Sequence, residues 1–263
     1  MDGVRVETDD GVAVAVVDFI SDELRNTLRQ QLSTYCHGAV QVAEDSSFYS
    51  FQNTMRQFVE RYESKAKTIQ LGMAGELLTH LLLEQSQFEL TSAGIFFNKE
   101  EKHIKKGFDL TFYEDSGMVW YGEVKSGEKE SGTSNEKAHA LLVTAANDLF
   151  HKLEPGAPRS RWESALIDAG LTLQSEDATT MKRLLRADAT AIQEGLPLPI
   201  SAVIAAIVFH SPLHCSIDMG QVVATAASLS RAGKFKHLKA LAAQQPVFDD
   251  LISFIRVELA AIA

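Results

Sequence analysis

Residues 109–125 decide the fold and read D-L-T-F-Y-E-D-S-G-M-V-W-Y-G-E-V-K. Hydrophobic side chains alternate with other residues on both sides of Asp115-Ser116-Gly117, a segment rich in turn-forming residues. A period of two, interrupted by a glycine-containing turn, predicts a β-hairpin with one buried face. The face predicted to be buried carries Phe108, Leu110, Phe112 and Trp120.

The opposite face of this hairpin carries two acids and a lysine. Asp109 and Glu123 lie at equal sequence distances from Ser116, so a turn centred there places them opposite each other, with Cβ atoms ~5 Å apart. Lys125 projects from the same face. A hard divalent ion such as Mg²⁺ would bind between such carboxylates, and the ammonium could position water or neutralise a phosphate. The alternative is a solvent-exposed face with a Glu123–Lys125 ion pair.

The whole chain has the composition of an ordinary soluble globular protein, with 263 residues, 45% of them hydrophobic, and a formal net charge of −10. This length fits one large domain or a small domain with an appendage. The negative charge argues against a free-standing, non-specific DNA-binding protein. Cys36 and Cys215 have no metal or redox spacing, which suits a reducing cytoplasm.

We expect no membrane segment. The start of the chain lacks a basic segment followed by an apolar one, so no signal peptide is predicted. The longest apolar run, residues 200–209, is much shorter than the ~20 residues that a bilayer requires. These features predict a cytoplasmic protein.

The charges are unevenly distributed. Residues 1–23 contain seven acids and one basic residue, whereas lysines outnumber acids in residues 99–106, just before the hairpin. A basic approach to an acidic pair suits a phosphodiester substrate, although a solvated loop of mixed charge is the alternative. The residues predicted to bind nucleic acid are Lys102, Lys105, Lys106, Lys129 and Lys137.

The N-terminal fifty residues are predicted to form an accessory lobe. Residues 4–17 alternate around Asp9-Asp10-Gly11, which predicts a first hairpin. Ser21 is a suitable N-cap for a helix over residues 22–35, and residues 37–50 are polar and predicted to be loop. We therefore predict an accessory lobe over residues 1–50 and a second unit over residues 51–263.

The second unit alternates between predicted helices and strands. Its predicted helices cover residues 52–85 (with a break near Lys67), 134–153, 161–169, 176–194, 220–231, 234–244 and 247–262. Its predicted strands, besides the hairpin, cover residues 91–98 and the apolar run 200–209.

Glu76 lies in the middle of an otherwise apolar helix, within G-M-A-G-E. A buried, ionised carboxylate is costly unless it is paired or bound to a metal. Gly72 and Gly75 make the helix thin beside it and would let a strand or substrate approach closely. The alternative is that Glu76 is a surface acid at the edge of the core, and His80, one turn on, is predicted to be a hydrogen-bonded or exposed helix residue.

This order of elements resembles the core of the PD-(D/E)xK nuclease superfamily, α-β-β-β-α-β. The resemblance rests on Gly75-Glu76, on Gly107-Phe108-Asp109 and on Glu123-Val124-Lys125, although no proline precedes Asp109. It implies an α/β fold with a mixed central sheet flanked by helices, an N-terminal hairpin and helix as an extension, and a helical C-terminus.

A narrower resemblance, to the HamA nuclease family of bacterial Hachiman-type anti-phage systems, covers roughly residues 60–215. It rests on G-M-A-G-E, K-K-G-F-D and W-Y-G-E-V-K-S-G. By this resemblance Asp109 and Glu123 would hold Mg²⁺, or Mn²⁺ in its place, with the Val124 carbonyl as a further ligand. Glu76 would complete the metal shell, directly or through water, and Lys125 would orient or activate the attacking water.

The resemblance also implies a Mg²⁺-dependent deoxyribonuclease that forms a heterodimer with a superfamily-two helicase in the bacterial cytoplasm. One alternative is a stand-alone restriction- or repair-type endonuclease with its own sequence preference. Another is a catalytically inert adaptor that retains the fold and binds nucleic acid or the partner.

Overall fold

Seven strands form one mixed sheet in the protein, which a computed structural model describes over residues 1–97, 107–129, 133–211, 216–246 and 250–261. The strands are β1 Val4–Asp9, β2 Val12–Val17, β3 Thr91–Ser92, β4 Leu110–Glu114, β5 Met118–Glu128, β6 Ser201–Phe209 and β7 His237–Gln245. Their order across the sheet is β1-β2-β7-β6-β5-β4-β3. Both predicted hairpins, β1–β2 and β4–β5, are present and antiparallel.

Helices cover both faces of this sheet. They are α1 Asp22–His37, α2 Ala39–Glu44, α3 Phe51–Glu63, α4 Lys67–Leu83, α5 Ser134–Lys152, α6 Ser160–Thr172, α7 Ser175–Gln193, α8 Met219–Arg231 and α9 Asp250–Ala260. The Ser21 hydroxyl accepts a hydrogen bond from the Leu24 N–H, as its predicted capping role requires. An α/β class with a mixed sheet is thus confirmed, while assignment to the PD-(D/E)xK core stays a prediction.

Two predictions were wrong at the level of short elements. The loop predicted for residues 37–50 contains α2, because Gly38 adopts a positive φ of 90° that ends α1 and lets a new helix begin. The strand predicted for residues 91–98 shrinks to β3, after which Phe96 and Phe97 donate backbone hydrogen bonds to the end of α1. Asn98 lies outside the described residues.

The helix predicted for residues 234–244 is wrong, because this segment forms strand β7. It lies between β2 and β6 and runs parallel to both. Its alanines, leucines, lysine and glutamines favour a helix in isolation. The run Ala240 to Ala243 is completely buried between two layers of helices, so tertiary packing overrides that preference. The neighbouring β6, which is buried throughout, confirms the prediction for residues 200–209.

The two faces of the sheet bury separate cores. One core joins the sheet to α1, α3, α4 and α9, and includes Phe112 and Trp120. The other joins it to α5, α6, α7 and α8, and includes Tyr113 and Tyr121. Strands β1 and β2, from the predicted accessory lobe, belong to the same sheet as the other strands. The predicted division of the chain into two units near residue 50 stays a prediction. No helix within the described ranges is long and apolar enough to span a bilayer.

Candidate active site

The β4–β5 hairpin has the predicted register. Leu110 pairs with Gly122 and Phe112 with Trp120, so Asp109 and Glu123 follow one step beyond the last pair. The Asp109 carboxylate accepts a hydrogen bond from the Val124 N–H at 3.1 Å, which fixes it at the start of β4. The hairpin therefore brings both predicted acids to one place.

Phe108 does not lie on the predicted face. Its ring contacts Tyr121 and Trp162, at centroid distances of 4.6 and 5.4 Å, in the core beneath α6. Phe108 precedes β4, so the alternation of side chains between the two faces of a strand does not yet apply to it. An aromatic side chain can be buried on either side here, because helices cover both faces of the sheet.

Glu123 is almost completely buried, and its carboxylate is bound by two lysines. One oxygen accepts from the Lys125 ammonium at 2.7 Å, and the other is in close contact with the Lys152 ammonium. Burial and the nearby charge of Asp109 raise the pKa of Glu123, while the two lysines oppose that rise. This carboxylate consequently needs positive charge beside it to remain ionised.

Lys125 bridges two acids. Its ammonium lies 2.7 Å from Glu123 and 2.8 Å from Asp148 of α5. Burial alone would lower the pKa of Lys125, but the hydrogen bonds with Asp148 and Glu123 outweigh it and hold that pKa above its usual value. Lys125 therefore carries a positive charge at neutral pH.

Lys152 completes the cluster, although sequence reasoning did not identify it or Asp148. Its ammonium lies 3.3 Å from the Asp109 carboxylate and contacts Glu123, so it bridges the two predicted metal ligands. It is the last residue of α5, and its carbonyl accepts a hydrogen bond from Arg161 at 2.8 Å. Two other polar residues of α5, His139 and Asn147, bond to Thr225 and Lys234, away from this cluster.

The cluster lies at the base of an open cleft of about 750 Å³. Four elements line it: α4, the β4–β5 hairpin, the last turns of α5, and α6. The lining residues are Thr68, Ile69, Gly72, Met73, Glu76, Asp109, Glu123, Val124, Lys125, Ser126, Asp148, His151, Lys152 and Arg161. Both acids of the hairpin thus border the cleft, although Glu123 itself is almost completely buried.

Glu76 reaches this cleft because α4 packs very closely on β5. A Cβ atom on Gly75 would lie 2.5 Å from the Cβ of Ser126, so only glycine permits the observed spacing, as predicted for this glycine; no strand of the described chain approaches Gly72, whose Cβ would have no atom within 4 Å. The Ser126 hydroxyl also donates to the Leu71 carbonyl at 2.9 Å. Glu76 is half-buried at the cleft wall.

A complete metal shell is not assembled by these acids alone. Among the described residues, no three histidine, cysteine, aspartate or glutamate side chains lie close enough together to hold a metal ion. Asp109 and Glu123 have a lysine ammonium between them instead. The predicted metal-ligand roles of these two acids, Val124 and Glu76 stay predictions.

The predicted nucleic-acid-binding lysines are only partly described. Lys102, Lys105 and Lys106 lie outside the described residues. Lys129 follows β5, with its ammonium 3.6 Å from Glu136, and Lys137 packs against the backbone of Gly127. Neither of these two lines the cleft, and their role in binding nucleic acid stays a prediction.

His80 belongs to the core rather than to the cleft. Its ring stacks on Tyr35 at a centroid distance of 5.2 Å, and burial lowers its pKa to about 4. It is therefore neutral at physiological pH, as a structural residue inside an apolar layer should be.

Comparison with known protein families identifies a matching family. The model of the HamA family matches residues 4–244, which is nearly the whole chain. This match confirms the resemblance drawn from the three short motifs and extends it from roughly residues 60–215 to residues 4–244, from β1 into β7. No curated protein sequence matches the chain significantly.

Proposed function

The chain belongs to the HamA family, and from this premise we propose that it is a metal-dependent deoxyribonuclease of a bacterial anti-phage defence system. Membership of this family suggests a component of a Hachiman system. The proposal adds the chemistry, which is hydrolysis of a phosphodiester bond in the cleft between α4 and α5.

One observation carries the proposal. Two acids and a lysine from neighbouring strands, Asp109, Glu123 and Lys125, meet at the base of a cleft that is open to solvent. Burying two carboxylates side by side is costly unless positive charge compensates them. A protein that needed only a stable core at this position would gain more from apolar residues, so the cluster favours a chemical role.

The donor set fits a hard divalent ion. The site offers carboxylate oxygens, and burial together with the neighbouring charge of Asp109 raises the pKa of Glu123, so a bound cation would favour its ionised form. Asp109 and Glu123 would hold Mg²⁺ or Mn²⁺, with the Val124 carbonyl and Glu76 as further ligands, Glu76 directly or through water. The bound ion would supply an activated water and neutralise negative charge on the phosphate.

Lys125 would act as a fixed positive charge. Its pKa is raised, so it holds its proton at neutral pH and cannot accept one from water. Its ammonium would instead orient the attacking water and stabilise the charge that develops on the phosphate. Asp148 holds the other side of this ammonium and so keeps it in position.

DNA would enter along the cleft wall that carries His151, Lys152 and Arg161. The net charge of −10 makes capture of DNA by this chain alone unfavourable. We therefore include a second subunit in the proposal, a superfamily-two helicase that delivers DNA to the cleft, as the family resemblance implies.

Plasmid cleavage with Mg²⁺, with and without the helicase subunit, tests the proposal. Glu123→Gln and Lys125→Met should each reduce cleavage at least about 100-fold, because each removes a group that acts on the reacting phosphate. Glu128→Gln is the matched control, since Glu128 lies on the same strand outside the cleft and pairs with Lys67. Cleavage retained by both site variants, with native circular dichroism, would overturn the proposal.

A further inference from the structure

The ammonium of Lys152 lies where both predicted metal-binding carboxylates can reach it. Its side chain is 21% exposed, and those of Asp109 and Glu123 are 17% and 2% exposed. Interaction between charges at such partly buried sites is screened much less than at a fully exposed surface. The positive charge of the lysine therefore offsets the repulsion between the two acids.

A divalent ion bound by the same two carboxylates would compete with this ammonium. Metal–oxygen distances for Mg²⁺ are roughly 2.1 Å, so the ion would lie within a few ångströms of the lysine nitrogen and repel it. The ammonium can move aside, because it is carried on a flexible four-carbon stem. The backbone at Lys152 need not move, since Arg161 holds its carbonyl.

We propose that Lys152 is a displaceable counter-cation, which holds Asp109 and Glu123 together and must leave them before a divalent ion can bind. This inference rests on the proposed function, because it takes these two acids as the metal ligands. It adds a regulatory property, since competition by Lys152 sets the metal concentration at which the site becomes loaded.

Lys125 is not expected to behave in the same way. Its ammonium is shared between Glu123 and Asp148, so it retains the Asp148 carboxylate as a partner when Glu123 turns to a metal ion. Lys152 bridges the two proposed ligands themselves. The structure thus gives the two lysines different tasks, with Lys125 anchored in place and Lys152 exchangeable.

Titration calorimetry of the full chain with Mn²⁺ tests this inference without requiring cleavage. Lys152→Met keeps most of the stem and removes the charge, and should bind Mn²⁺ at least about tenfold more tightly than the wild type. Lys152→Arg keeps the charge and should bind no more tightly than the wild type. The exposed Lys65, changed to Met, controls for net charge and should leave the affinity within about twofold.

Two unfavourable outcomes are distinguishable. Equal Mn²⁺ affinity in the wild type and Lys152→Met would overturn the counter-cation and leave the proposed nuclease site intact. Absence of Mn²⁺ binding in every variant would overturn the proposed metal site as well. Lys152→Gln repeats the measurement with a neutral side chain that still donates hydrogen bonds to both acids, in case the methionine variant does not fold.

Discussion

The contact between α4 and β5 at Gly75 makes a quantitative prediction. A Cβ at Gly75 would lie 2.5 Å from the Ser126 Cβ and 2.8 Å from its hydroxyl oxygen, whereas ordinary contacts begin at 3.4 Å. Gly72, nearly one turn earlier on the same helix, would place its Cβ with no atom within 4 Å. A glycine-to-alanine substitution can therefore be compared in crowded surroundings, at Gly75, and in open surroundings, at Gly72.

Replacing either glycine by alanine should gain up to ~1 kcal/mol from helix propensity. Gly75→Ala must also move α4 away from β5 by roughly 0.9 Å, the difference between the 2.5 Å approach and the 3.4 Å at which ordinary contact begins. Overpacking of this kind costs ~1–3 kcal/mol. Since the propensity gain is common to both variants, the difference in their free energies of unfolding should equal the packing cost, about 1–3 kcal/mol.

Urea and thermal unfolding, followed by circular dichroism, measure this difference. Gly75→Ala should melt about 2–12 °C below Gly72→Ala, at 2–4 °C for each kcal/mol in a chain of this size. Equal stability of the two variants would refute the close packing of α4 on β5. It would also remove the reason for placing Glu76 at the wall of the cleft.

Three further predictions concern charge. Burial lowers the pKa of His80 from 6.5 to about 4, so below pH 6.5 the unfolded state binds a proton that the folded state does not. The free energy of unfolding should therefore decrease as the pH falls, by about 3 kcal/mol at pH 4. Urea unfolding should show a smaller decrease at acid pH in His80→Phe, and an unchanged decrease would contradict this. Burial raises the pKa of Asp188 despite the hydrogen bond from Tyr121, so its protonated form favours folding and this advantage fades as the pH rises. The stability of Asp188→Asn relative to the wild type should accordingly increase as the pH rises above 3.8, the ordinary pKa of an aspartate, and a difference that does not change with pH would argue against it. Mg²⁺ at 100 times its dissociation constant should stabilise the wild type by ~2.7 kcal/mol but not Asp109→Asn, whereas an inert adaptor would show no shift in thermal midpoint for either protein.

The hairpin register could be predicted from sequence because it depends on local rules. Alternation with a period of two fixes which residues share a face, and the turn at Gly117, which has a positive φ of 84°, fixes the pairing. The close approach of α4 to β5 was only partly predictable, since a glycine in a buried helix permits a close contact without requiring one, as the open surroundings of Gly72 show. The hairpin, by contrast, depends on residues that lie near each other in the chain.

Strand β7 shows where such rules stop. Its residues prefer a helix when considered alone, and nothing in the segment itself indicates that β2 and β6 lie on either side. The small alanine side chains suit a central strand here because helices cover both faces of the sheet. Only the assembled sheet supplies the hydrogen bonds and burial that decide between the two structures.

Lys152 is intermediate between these two cases, because the pattern of α5 indicates that it faces the sheet, although the prediction from sequence did not include it in the site. The apolar stripe of α5 runs through Ala145 and Leu149 toward the sheet, and a helical period continues it at residue 152. A charged residue on such a stripe needs a partner of opposite charge in the layer that it faces. In this chain the layer is β5, where Lys125 binds one carboxylate oxygen of Glu123 and Lys152 of α5 binds the other. The acid pair of the hairpin and the lysine of the helix therefore explain each other's burial, and neither is complete as a site without the other.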